Sequence, residues 1–191
     1  MRALAAALAA VALLTPAVGL AQPVSDASGP DTYLQLHLGA VFPRSSALDP
    51  LDPGYDVGGT FGARFNPNVS VEGALAYERA EGSSSGTTLV YQDLPFTVSL
   101  RLRVPVQRME LSGLGGVGLH NPWLTTRLAG VRTTEHATAF GYHLGAAIAA
   151  ELWPTTLVGV EARWTFLDPR LDGVRTRLDT LRIAATLQYR F

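Results

Sequence analysis

From residue 33 to the C-terminus, apolar side chains alternate with polar or small ones in run after run. That is the period of a strand and not of a helix. The last run, 181–191, is the clearest. Leu181, Ile183, Ala185, Leu187, Tyr189 and Phe191 fall on one side; Arg182, Ala184, Thr186, Gln188 and Arg190 fall on the other. Wound into a helix, the same residues would scatter their charges and leave no apolar stripe. Earlier runs repeat the pattern. In 33–42, Leu34, Leu36, Leu38, Ala40 and Phe42 oppose Gln35, His37 and Gly39, and in 55–65, Val57, Phe61, Ala63 and Phe65 oppose Asp56, Thr60 and Arg64. In 69–77, Val71, Leu75 and Tyr77 oppose Ser70, Glu72 and Ala76, and in 94–104, Phe96, Val98, Leu100 and Leu102 oppose Thr97, Ser99, Arg101 and Arg103. The run 110–119 is glycine-rich, without a clean parity. In 138–152, Phe140, Tyr142, Leu144 and Ile148 oppose Gly141, His143, Gly145 and Glu151; in 157–166, Val158, Val160 and Trp164 oppose Gly159, Glu161 and Arg163.

These runs predict eight strands, each about the 9–11 residues that a tilted membrane-crossing strand needs. Their connections alternate strictly in length. Short turns lie at 66–68, 105–108 and 153–156, and long polar loops at 43–54, 80–93, 121–135 and 168–179. Short inner turns and longer outer loops characterise barrels of the outer membrane.

Alternation alone does not say which face looks outward, since a soluble barrel would put the apolar face inside. Two features favour the inverse. The polar face is rich in small residues, among them Gly58, Gly62, Ala74, Gly141 and Gly145, as a narrow eight-stranded interior requires. Aromatics of the apolar face gather at strand ends, with Tyr55, Tyr77, Phe96, Phe140 and Tyr142 near the long loops and Phe65, Tyr189 and Phe191 near the short turns. Two such rims match the girdles of a membrane interface. The expected fold is therefore all-β, an eight-stranded antiparallel up-and-down transmembrane barrel over 32–191.

The N-terminus changes the picture in one respect. Arg2 precedes an apolar run over 3–14, too short to span a bilayer as a helix, and Gly19 and Ala21 are small residues at the positions a signal peptidase inspects. Residues 1–21 read as a signal peptide cleaved after Ala21, and 22–31 as a flexible lead-in. The 191-residue chain is 47% hydrophobic and only 16% charged, with net charge −1. Near-neutral charge argues against nucleic acid as a partner. The absence of cysteine removes disulfides and thiolate chemistry.

The apolar/polar last strand, ending on Tyr189 and Phe191, resembles the closing strand of the small OmpA/OmpX-type bacterial outer-membrane barrels. The resemblance covers 32–191. In that family the terminal strand is also the signal read by the assembly machinery, which implies that role for Tyr189 and Phe191. The family's usual glycine five residues before the final aromatic is Thr186 here. Expected partners are outer-membrane lipid, lipopolysaccharide and that assembly machinery, in the outer membrane.

Candidate chemistry is sparse. Parity turns Arg64, Glu72, Arg101, Arg103, Glu151, Glu161, Arg163 and Arg190 inward, with Glu78 and Arg182 on the same side, and Arg103 and Glu110 flank one short turn as cross-strand neighbours. Buried charges must be paired, so these residues predict an internal ion-pair network filling the lumen, as the resemblance also implies. Alternatives are a narrow passive channel of the OmpW type and a lipid A-modifying barrel enzyme. No His has a Ser two residues away on its own face, as the deacylase type requires, and no motif singles out His136 with a loop Asp for the palmitoyltransferase type. No metal-ligand spacing or phosphate-binding glycine loop appears. The expectation is a non-enzymatic envelope protein, serving membrane integrity or presenting its surface loops to ligands or in adhesion, with no cofactor.

Overall fold

The computed structural model describes residues 31–84, 86–129, 131–171 and 174–191. The expected signal peptide, its expected cleavage after Ala21 and the expected lead-in as far as residue 30 lie outside the described residues. Among the described residues thirteen strands are present: β1 (Asp31–Pro43), β2 (Gly54–Asn66), β3 (Val69–Ser84), β4 (Thr87–Asp93), β5 (Phe96–Val106), β6 (Met109–His120), β7 (Trp123–Leu128), β8 (Val131–His136), β9 (Ala139–Trp153), β10 (Thr156–Leu167), β11 (Arg170–Leu171), β12 (Val174–Arg175) and β13 (Thr180–Arg190). Eight of them form the barrel, in the order β2-β1-β13-β10-β9-β6-β5-β3, closed by pairing of β2 with β3. Every neighbouring pair is antiparallel. Closure leaves no open edge in lipid, where an unpaired backbone group costs several kcal/mol, on the order of a lost hydrogen bond or more.

The apolar parity faces out. Leu34, Leu36 and Leu38 on β1, Leu100 on β5, Leu144 on β9 and Leu187 on β13 are all exposed on the barrel wall. The rims carry exposed rings: Tyr55, Phe96, Phe140 and Tyr142 at one end, Phe65, Trp153, Tyr189 and Phe191 at the other. The glycine-rich β6 obeys the same rule, with Leu111, Val117 and Leu119 outward and Glu110 and Leu114 inward.

Short turns close one end. Between β2 and β3, Asn66 Oδ1 accepts from the Asn68 amide at 2.9 Å, the local bond that favours Asn in tight turns. Between β5 and β6, Gln107 takes a left-handed φ of 56°.

At the other end the structure departs from the expected loops. Segments 80–93 and 121–135, predicted as loops, are largely strand. Leu75 faces Phe96 and Glu78 faces Asp93, so β4 and β5 are one strand in unbroken register, interrupted at Leu94 and Pro95. Pro95 has no amide to donate, yet its carbonyl still accepts from Ala76 at 3.2 Å. The registers of β6 with β7 and of β8 with β9 continue in the same way across Asn121, Pro122, Ala137 and Thr138. A four-stranded sheet, β3-β4-β7-β8, therefore rises out of the barrel on one side.

The two remaining loops fold against this sheet. The 3-10 turn Ser46–Leu48 drives Leu48 inward, and Leu178 enters from the loop before β13; both are fully buried. They pack with Val41, Leu51, Ala80, Leu89, Tyr91, Leu167 and Leu171 in one apolar cluster. Backbone bonds fasten the cap: Arg44 donates to the Asp179 carbonyl at 2.8 Å, Asp52 to that of Glu81 at 3.2 Å, and Leu178 to that of Leu167 at 2.8 Å. The barrel is thus covered at its outer end by a small hydrophobic core of its own.

Candidate functional site: the charged lumen

Beneath that cap the inward parity of the eight strands brings ionisable groups together in tiers. The lowest tier lies at the short-turn end. Glu110 on β6 accepts from Arg103 Nε at 2.7 Å, from Arg64 Nη2 at 3.1 Å and from Arg190 Nη2 at 3.3 Å, three arginines from three strands. Arg103 and Glu110 meet because β5 and β6 form a hairpin whose turn lies between them. Arg190 is the most accessible member, its side chain 27% exposed at the rim.

The next tier centres on Glu72 of β3. Its carboxylate takes a bidentate pair from Arg101 Nε and Nη2, a longer bond from Arg103 Nη2 at 3.4 Å, and the Tyr33 hydroxyl. Arg103 also donates to Tyr33 Oη at 2.6 Å and lies 4.9 Å from the centre of that ring, a cation–π contact. Gly62 makes room for the ring: a Cβ there would sit 2.1 Å from Tyr33 Cζ.

Above it, Glu161 of β10 is fully buried and holds three guanidinium groups. Arg101 reaches it at 2.6 Å and Arg163 at 3.0 Å, and Arg182 donates to Oε1. Arg101 therefore bridges two tiers. Arg182 continues upward to His37 Nε2 at 3.0 Å and Asp56 Oδ1 at 3.5 Å. At the top of the lumen, Asp93 accepts from the Asn121 amide at 2.9 Å and pairs with His120 Nδ1 at 2.6 Å, with Glu78 its cross-strand neighbour. A cavity of about 10 Å³, lined by Glu78, His120, Arg163 and Arg182 together with Ala74, Ala76 and Pro95, lies beside them. That is space for about one water molecule.

Of the residues expected to form a network, Arg64, Glu72, Arg101, Arg103, Glu161, Arg163 and Arg190 lie in these tiers. Glu151 does not. It has the inward parity, but it stands at the exposed end of β9 next to Trp153, below the lowest tier, where water solvates it. Parity gives direction and not height, which is why sequence reasoning placed it wrongly. Arg182, His37, Asp56 and Glu78, of the same inward parity but outside that set, join the tiers, and three further participants were missed. Tyr33 shares the parity of Gln35 and His37 and was legible on that ground. Asp93 and His120 border segments read as loops, and only their strand geometry turns them inward.

By residue count the arginines and acids of the lumen match. Arg64, Arg101, Arg103, Arg163, Arg182 and Arg190 stand against Asp56, Glu72, Glu78, Asp93, Glu110 and Glu161, six against six. Two further contacts bear on chemistry. Ser99 Oγ lies 2.8 Å from His143 Nε2, while the carboxylates that pair with histidines lie elsewhere, Asp93 on His120 at 2.6 Å and Asp56 on His37 at 3.3 Å. The hydroxyl and the carboxylates thus belong to different imidazoles, and no acid–base–nucleophile relay joins them. Among the described residues no group of three or more His, Asp or Glu is arranged to hold a metal.

The comparisons agree with this architecture. A family model for the outer membrane protein beta-barrel domain matches residues 3–191. No curated protein matches the chain. Among solved structures, Neisserial surface protein A (NspA) is similar at a TM-score of 0.65 and 14% identity, covering 86% of this chain and all of its own. OprG from Pseudomonas aeruginosa is similar at 0.60 and 14%, over 85% of this chain and 96% of its own. Ail, the attachment invasion locus protein of Yersinia pestis, is similar at 0.57 and 15%, over 86% and 100%. At such identities the likeness speaks for the fold alone. An apolar wall turned outward, charges gathered within and a family match over nearly the whole sequence lead to one conclusion: the chain belongs to the outer-membrane β-barrel domain family and resides in the outer membrane.

Proposed function

We propose that the protein is a non-enzymatic envelope barrel. Its closed wall contributes to the integrity of the outer membrane, its structured outer segments stand at the cell surface, and its lumen is filled by its own side chains. Export uses residues 1–21 with cleavage after Ala21, and the last strand, ending at Tyr189 and Phe191, serves as the assembly signal. The observation that carries the reading is Glu161, wholly shielded and held by arginines of β5, β10 and β13. A carboxylate so placed strings charged side chains across a bore that is narrow in any eight-stranded barrel. The apolar cap on Leu48 and Leu178 is a second barrier above it. The separation of Ser99–His143 from Asp93–His120 supports the non-enzymatic part.

Planar-bilayer recording on the purified barrel tests the proposal. The expected trace is silent at moderate voltage. Steady, porin-sized currents would instead promote a passive channel. Lipid A mass spectra from cells with and without the protein are expected to be the same; a lost or added acyl chain would mean a lipid-modifying enzyme.

A further inference from the structure

Above the upper aromatic rim the strands continue without a break, and of the outward residues in the row of Glu81 both Val90 and Thr125 are buried. The registers of β3, β4, β7 and β8 run on from those of the barrel strands, so the outward side chains of the protruding sheet extend the membrane-facing wall. In its topmost complete row lie Ser83, Thr88, Arg127 and Arg132. Arg127 and Arg132 are directly opposed across the β7–β8 hairpin, and both are exposed. Like charges facing each other on a sheet are destabilising. Among the described outward residues of these four strands the one carboxylate is Glu81, and Arg79 holds it at 2.9 Å. Two guanidinium groups on adjacent strands thus share one spot with no acidic partner on their face, an arrangement that suits a phosphate gripped from two sides.

Height decides which phosphate. Arg132 precedes the rim residue Phe140 by eight positions on a continuous path. At ~3.3 Å per residue and a tilt of ~40°, that places the pair on the order of 20 Å above the apolar boundary. Groups attached directly to the acyl-bearing sugars lie well below that level. We propose that Arg127 and Arg132 form a site for phosphate carried on the sugar core of the outer leaflet's lipopolysaccharide, with the Thr88 hydroxyl beside Arg127 in the same row. The lipid is the source because this face is the upward continuation of the lipid-facing wall; whatever stands on the acyl chains next to the barrel stands against this row. The site does not depend on the lumen being closed.

The test compares the full-length barrel with Arg127→Gln/Arg132→Gln, both folded in detergent and checked by heat-modifiable mobility. Binding is measured to lipopolysaccharide with a phosphorylated core, to the same material with its core phosphates removed, and to lipid A lacking the core. The parent is expected to bind the phosphorylated core about tenfold more tightly than either alternative, and the double variant to lose that preference. Arg127→Lys/Arg132→Lys should keep part of it, since charge survives while the forked geometry does not. Equal binding by parent and double variant would overturn the site. Lipid A bound by the parent as tightly as the complete phosphorylated form would overturn the assigned height, and with it the proposal.

Discussion

The lumen and the outer cap are built from the same strands with opposite polarity. Within the barrel, β3, β5 and β6 turn Leu75, Phe96 and Leu119 outward and Glu72, Arg101 and Glu110 inward. Past Leu94 and Asn121 the sheet keeps its register, but the outward positions become Arg79, Glu81 and Arg127 while Ala80, Leu89 and Tyr91 turn inward. No strand slips; the surroundings change. Where lipid touches the outside, the apolar face is the outer one, and where water does, ordinary burial returns. The chain thus carries two cores, a charged one held by ion pairs and an apolar one held by the hydrophobic effect, one above the other.

The comparison implies that the two respond to different injuries. The largest effect is expected at Glu161. Glu161→Ala leaves Arg163 without a carboxylate and takes one of two from Arg101 and from Arg182, and removing one partner of a buried pair costs about 3–5 kcal/mol. Thermal unfolding of the folded band in detergent should shift strongly downward. A variant as resistant as the parent would mean a lumen wet enough to screen its charges, and the contrast with the cap would collapse.

Second comes Leu178→Ala in the cap, at about 2–5 kcal/mol for a fully buried leucine. Here the expected damage is local. Protease should cut the segments around 44–53 and 168–179 more readily, while the barrel keeps its heat-modifiable mobility and stays electrically silent because the charged tiers below are intact. Conductance in this variant would show that the cap, and not the ion pairs, closes the bore.

A smaller effect, about 1–3 kcal/mol, is expected for Gly62→Ala, which pushes the Tyr33 ring from its place beside Arg103. Tryptophan-monitored urea unfolding measures it; an unchanged midpoint would mean that the tier of Glu72 repacks freely. The smallest change in stability should follow deletion of Phe191, a 69% exposed ring that touches Tyr189 edge-on. Its expected signature is a lower amount of folded protein in the outer membrane, with refolding in micelles nearly intact. Equal amounts in cells would remove the assembly role.

Periodicity by itself determined the eight barrel strands and, for all but the glycine-rich 110–119, which residues share a face, because a strand's side-chain direction is set by parity; the small residues of one face and the aromatic rims of the other said which looks outward. Segments 80–93 and 121–135 were not legible in this way. Their alternation reverses its sense relative to the barrel, so polar residues on the wetted outer face resemble loop composition. Tertiary structure also decided height, which excluded Glu151 from the tiers and admitted Asp93 and His120. The same holds for partnership. Glu161 meets Arg101 across a separation of 60 residues only because the sheet closes on itself. Direction is a property of each strand, whereas height and closure belong to the assembled sheet.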